Sequence, residues 1–230
     1  MRVIHGLLDS CRALECMGVV TGAPGVGKSV AVRAYAAGDA AVTVCTLEAV
    51  TAKLRAFVVG LARSVHVGYD RATSTEELYA RVADALKYRG VRLLVVDEAG
   101  YAEYGVLDAL RDLHDRTGVG LVLVGNDALT DALSGRSAGA KYANRAQFQG
   151  RVAQRLTLTE PFPEDLDAFC AHWGVESEPG RKLVRRIAAR GGNLRGAEHF
   201  VKVARRMAGD GGRLTAAALR DAATAMGVAS

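Results

Sequence analysis

The sequence predicts an α/β protein: a parallel sheet covered by helices on both faces, with a smaller all-helical domain behind it. Three observations predict this. Near-continuous apolar runs recur through the first 160 residues, helix-spaced segments separate them, and beyond residue 160 only helical patterns remain. Strands that are apolar on both sides belong to parallel sheets buried on both faces, and alternation with helices supplies the crossovers.

The elements follow in order. "CMGVVTG" (16–22) is an apolar strand ending in glycine, and "VAVRAYAA" follows as a helix. "AVTVCTL" (41–47) is a β-branched strand. The stretch 50–65 has helical spacing at Leu54, Phe57, Val58 and Leu61. The stretch 74–88 opens with a capping box, Ser74 with Glu77, and continues as an amphipathic helix. "VRLLVVDEAG" (91–100) is a buried strand, and 106–118 places Val106, Leu107, Leu110 and Leu113 on one helical face. "GLVLVGN" (120–126) and "AQRLTL" (153–158) are the remaining strands. "EPFPED" (160–165) reads as a linker, and helices follow at 164–172, about 178–190, 193–208 and 214–226. The expected domains are a nucleotide-binding core, 1–159, and a helical lid, 160–230.

Composition bounds the class. Of 230 residues, 50% are hydrophobic and 24% charged, as in globular proteins. No apolar run approaches the roughly 20 residues of a membrane span. The start lacks the apolar stretch and cleavage site of a signal peptide, so a cytoplasmic protein without membrane association is expected. Cys11, Cys16, Cys45 and Cys170 fit no zinc spacing and are expected to be reduced thiols. The net charge of +5 is unevenly placed: residues 181–220 hold eleven Lys or Arg and two acids. That window suits a polyanion, a neighbouring subunit, or simply a solvated helical surface.

The stretch "GAPGVGKS" (22–29) meets the pattern G-x-x-x-x-G-K-[ST] between a strand and a helix. Glycines there let backbone N–H groups turn onto phosphate oxygens, and the helix start adds attraction for anions. Gly22, Ala23, Pro24, Gly25, Val26, Gly27, Lys28, Ser29 and Val30 are the expected nucleotide-binding residues. Lys28 is expected to reach the β- and γ-phosphates of ATP, and Ser29 to ligate Mg²⁺. "LLVVDEAG" then places two carboxylates at the C-terminal end of a buried strand, where open α/β sheets bind ligands. Asp97 is expected to hold the hydrated Mg²⁺, and Glu98 to polarise the attacking water. This pair favours hydrolysis over passive holding. Asn126, ending the next strand, either orients the water or touches the γ-phosphate. Arg151, just before the last strand, or Arg145, six residues earlier, is placed to project into a neighbouring subunit's nucleotide. Arg195, early in a lid helix, is placed to fold back on the phosphates.

Together these pieces resemble an AAA+ ATPase. The resemblance names Walker A (22–29), Walker B (93–98), sensor-1 Asn126, arginine finger Arg151 and sensor-2 Arg195. It implies strand order 5-1-4-3-2, a helical lid, and ATP bound between subunits. The segments 16–36, "LLVVDEAGYAEYGVLDALRDLHDRTGVGLVLVGND" and "FQGRVAQRLTL" are similar, more narrowly, to the DNA-transposition regulators of the Mu B and TnsC group. That resemblance implies ATP-dependent filaments on double-stranded DNA, target selection and activation of a transposase. Only 21 residues precede the phosphate loop, so DNA contact is expected from the core. By resemblance the region after the second strand faces DNA; it offers Thr51, Lys53 and Arg55, with 69–75 as a second candidate. Such side chains suit phosphate contacts, which position without reading sequence. The alternatives are an initiator or helicase loader, for which no dedicated DNA-binding domain is visible, and an ATP-dependent protein-assembly switch without DNA.

Overall fold

The computed structural model describes residues 1–134, 148–209 and 213–228. Two compact units emerge: a larger one of Arg2–Thr21 and Lys28–Thr157, and a smaller one of Met1, Gly22–Gly27 and Leu158–Ser230.

The larger unit is built on a five-stranded sheet of β1 (Met17–Gly22), β2 (Val42–Thr46), β3 (Leu93–Asp97), β4 (Gly120–Val124) and β5 (Val152–Leu158). The strand order is β2-β3-β4-β1-β5, the expected 5-1-4-3-2 read from the other edge. The pairs β2–β3, β3–β4 and β4–β1 are parallel, with Thr46 opposite Asp97, Val96 opposite Leu123 and Val20 opposite Val124. The central strands β1, β3 and β4 are buried at every residue, as their unbroken apolar runs require. At the edge, β5 alternates between half-buried and exposed side chains, and the Thr157 and Thr21 hydroxyls meet at 3.1 Å.

One face of the sheet is covered by α3 (Leu54–Ser64), α4 (Thr75–Tyr88) and α5 (Tyr104–Thr117). Phe57, Leu61, Leu78, Leu86, Leu110 and Leu113 recur at helical spacing and pack with Leu94, Val96, Leu121 and Leu123. Each such buried side chain contributes about 1.5–3 kcal/mol. Ser74 caps α4, its hydroxyl accepting from the Glu77 N–H at 3.0 Å.

Among the described residues, two helices of eight or more residues went unassigned in the sequence reading. The first is α1 (Arg2–Ala13), whose buried residues Ile4, Leu7, Leu8 and Cys11 follow i, i+3, i+4, i+7. It packs against α2 (Lys28–Ala36) and the β4 side of the sheet. Its docking depends on Gly18: a Cβ there would lie 2.6 Å from the Cys11 sulfur. The second is α6 (Asp127–Ser134), a short helix after β4.

The smaller unit holds α7 (Pro163–Trp173), α8 (Glu178–Ile187), α9 (Asn193–Met207) and α10 (Ala216–Ala225). Their core comprises Cys170, Val175, Val184, Ile187, Phe200, Val201, Ala204, Leu214, Leu219 and Ala222. The expected linker at 160–165 is shorter than read, because Pro163 opens α7 at a position where the missing N–H costs nothing. Between α8 and α9 the chain makes one wide turn, Ala188–Gly192, with Gly191 at φ 104°. Arg205 lies over the Trp173 ring at 5.0 Å.

The cysteines are free thiols: Cys11, Cys45 and Cys170 are buried and Cys16 is half-buried. Burial pushes the Cys45 thiol up to about 11, which keeps it protonated and inert. No described helix is long and apolar enough to cross a membrane.

Candidate functional site

The parallel sheet brings the C-terminal ends of β1, β3 and β4 to one edge. Register sets Val96, the residue before Asp97, level with Leu123, and Leu123 level with Val19. With neighbouring strands about 4.8 Å apart, Asp97 stands about 10 Å across the edge from β1.

Asp97 is 6% exposed, and its Oδ1 accepts the Glu98 N–H at 2.9 Å. Among the described residues it forms no ion pair. Among the described residues no group of three or more His, Cys, Asp or Glu gathers to hold a metal by itself. Mg²⁺ takes one or two protein oxygens plus phosphate oxygens and waters, and the Asp97 carboxylate is an oxygen donor of that kind. Ser29, the second residue of α2, is the other candidate ligand.

Glu98 is half-exposed and left-handed, at φ 54° and ψ 34°. A non-glycine residue in that region stores strain, and such residues concentrate at functional sites. The chain then turns through Ala99–Tyr101. Asn126 follows β4, and its Oδ1 accepts the Ala128 N–H at 3.0 Å, capping α6. The same oxygen is 3.0 Å from where a Cβ on Gly100 would stand, so Asn126 adjoins the turn that carries Glu98.

The motif 22–29 is divided between the units. Lys28 and Ser29 open α2 in the larger one, while Gly22–Gly27 belongs with the smaller one. Within the smaller unit the Ala23 N–H donates to the Leu158 carbonyl at 3.0 Å. Gly25 sits at φ 79°, where side chains are strained, and a Cβ there would lie 2.7 Å from the Gly192 oxygen and 3.0 Å from the Arg195 Cβ. The Asn193 amide donates to the Pro24 carbonyl at 2.9 Å, and the Leu194 N–H to the Gly25 carbonyl at 2.9 Å. Arg195 is exposed on α9, its Cβ against the loop backbone. Val26 is buried, and Val30 is exposed on α2.

Arg151 ends a helical turn at 148–151 just ahead of β5. Its Nε donates to the Asp115 carboxylate of α5 at 2.8 Å. Arg145 lies outside the described residues.

The expected DNA-facing residues separate. Lys53 is exposed at the N-cap of α3. The Thr51 hydroxyl accepts the Glu48 N–H at 2.7 Å and donates to the Glu48 carbonyl at 3.1 Å, so it closes a turn. Arg55 is half-buried, and its Nη1 is sealed from solvent with no hydrogen-bond partner among the described residues. Lys53 is thus the best placed of the three to meet a phosphate.

The sequence reading missed Asp115 and Asn193. Asp115 carried no signal, because its partner is 36 residues away. Asn193 carried a weak one: asparagine after two glycines and before a helix suits a positive φ, here 50°.

Comparison with known proteins agrees with this architecture. An AAA domain model matches residues 13–133, and a model of the C-terminal part of the Mu B transposition protein matches residues 150–226. DNA transposition protein B of the Mu-like prophage FluMu of Haemophilus influenzae is 32% identical over 197 residues, 84% of this chain and 67% of that protein. The chain belongs to the AAA proteins of the Mu B transposition group. Within that group, the ATP-dependent target DNA activators B of Escherichia phages Mu and D108 are each 29% identical over 209 residues, 90% of this chain. The chain spans 65% of the length of those two Mu B relatives.

Proposed function

We propose that this protein is an ATP-dependent, sequence-nonspecific double-stranded DNA-binding ATPase that assembles into filaments on DNA, selects target DNA and activates a transposase. The observation that carries the reading is the buried Asp97 and strained Glu98 at the carboxyl edge of the sheet, in a chain related to ATP-dependent target DNA activators. The working parts are a nucleotide-binding core, 1–159, and a helical lid, 160–230.

In this reading residues 22–30 cradle the phosphates, the loop's free backbone N–H groups and Lys28 donating to them, and Ser29 and Asp97 would hold Mg²⁺. When bound, Mg²⁺ neutralises phosphate charge and helps orient the triphosphate. Glu98 accepts a proton from the attacking water, and Asn126 orients that water or contacts the γ-phosphate. Arg151 reaches the nucleotide of the neighbouring subunit, and Arg195 approaches the phosphates from α9 of its own subunit. Opposed charge then makes assembly depend on an intact triphosphate, and its hydrolysis releases the filament. DNA is held by phosphate contacts, Lys53 foremost, so affinity falls steeply with salt and depends little on sequence.

The test is electron microscopy of the protein with duplex DNA in ATP, in a slowly hydrolysed analogue and in ADP. Filaments with ATP or the analogue and none with ADP are expected. Closed rings would favour the initiator or loader reading. Absence of DNA association in every state would favour a protein-assembly switch.

A further inference from the structure

We infer that Asn193 is a positioning residue for nucleotide binding: it presets the phosphate-loop amides by holding the loop's outward carbonyls. The inference rests on the nucleotide site proposed above. It deepens that reading by naming a residue that touches no phosphate itself.

The geometry lies within the smaller unit. Asn193 donates its side-chain amide to the Pro24 carbonyl, and the next residue donates its backbone N–H to the Gly25 carbonyl, both at 2.9 Å. A trans peptide is planar, with C=O and N–H pointing in opposite directions. Fixing the Pro24 carbonyl therefore fixes the Gly25 N–H on the far side of that plane. Fixing the Gly25 carbonyl does the same for the Val26 N–H. Two consecutive donors are thus turned away from α9, as a loop that cradles an anion requires.

Three further features show that this contact is built. Asn193 is 7% exposed, so its amide is committed to the loop and not to water. Its backbone lies at φ 50°, ψ −143°, a conformation costly for a side-chain-bearing residue, and its own N–H is tied to the Ala188 carbonyl. The fit is close enough that a methyl group on Gly25 would strike the Gly192 oxygen at 2.7 Å, and one on Gly27 would meet Leu194 at 3.2 Å. A strained, buried asparagine whose donor lands on the phosphate loop is poorly explained by packing alone.

The amides preset in this way serve phosphates shared by ADP and ATP, so loss of the Asn193 donor should weaken both alike. Arg195, proposed to approach the phosphates from the same helix, should separate the two nucleotides. The test is fluorescence titration of the full chain with N-methylanthraniloyl ADP and ATP, using Asn193→Asp, Asn193→Gly, Arg195→Ala and the unaltered protein. Asn193→Gly keeps the backbone conformation accessible and removes the donor, so it covers the case in which a buried aspartate impairs folding. Thermal unfolding of each nucleotide-free protein runs alongside. The expected result is about tenfold weaker binding of both nucleotides by the folded Asn193 variants, the worth of one lost hydrogen bond. Arg195→Ala is expected to weaken ATP more than ADP. Unchanged affinity in Asn193→Gly overturns the inference, even where its unfolding midpoint falls, because a purely structural asparagine would behave in that way. Loss confined to ATP also overturns it, since that would place Asn193 at the γ-phosphate. Failure of the unaltered protein to bind either nucleotide would remove the nucleotide site itself, and the inference with it.

Discussion

Adding one methyl group should have opposite effects at two glycines. At Gly25 the added Cβ would stand 2.7 Å from a backbone oxygen and 3.0 Å from another Cβ, in a residue at φ 79°. The left-handed conformation costs a non-glycine residue about 1–2 kcal/mol. Overpacking against backbone that cannot swing aside costs about 1–3 kcal/mol more. Gly25→Ala should therefore destabilise the protein by about 2–5 kcal/mol, or relieve the strain by displacing the loop and losing nucleotide affinity. At Gly60, inside α3, an added Cβ would meet nothing within 4 Å. Alanine there gains helix propensity, and Gly60→Ala should stabilise by about 0.5–1 kcal/mol. Calorimetric unfolding and nucleotide titration of both variants read the two effects. If Gly25→Ala unfolds at the wild-type temperature and binds ADP normally, the tight seat of the loop against Gly192 and Arg195 is refuted.

Other perturbations test separate parts of the molecule. Glu98→Gln should slow ATP hydrolysis at least about a hundredfold while keeping nucleotide binding; a steady-state phosphate-release assay showing normal turnover would remove Glu98 as the base. Arg151→Ala should leave ATP binding by dilute protein intact and abolish hydrolysis by concentrated protein, measured across a concentration series; normal hydrolysis would move the trans-acting role elsewhere, Arg145 first. Lys53→Ala should weaken duplex binding about equally on all sequences and lower the slope of log affinity against log salt by about one unit, read by filter binding. Asp39 is held below the usual carboxylate range by the Ala41 N–H and then by Arg12. Its stabilising effect is present at neutral pH and lost as pH falls through that range, so the unfolding-temperature gap between wild type and Asp39→Asn should narrow below about pH 4.

Much of this protein is determined locally and can be read without a structure. Each buried strand announces itself by an apolar run, because both faces of a parallel sheet are dry. The run of glycines with Lys28 and Ser29 has the pattern expected of a phosphate loop, because backbone amides can converge on an anion only where side chains do not intrude. "VVDEAG" announces where β3 ends, because the apolar run stops at Asp97 and Glu98. Tertiary structure decided the rest, where the physical cause is a partner far away in the chain. Thr51 and Arg55 look like Lys53 in the sequence, yet one is tied into a turn and the other is half-buried, because burial is set by what packs above a residue. Asp115 meets Arg151 across 36 residues. Asn193 reaches Pro24 across 169 residues, a hydrogen bond with no trace in any local pattern. Periodicity and composition act over a few neighbouring residues, whereas the orientation of a phosphate-loop carbonyl depends on which distant donor the fold brings to it.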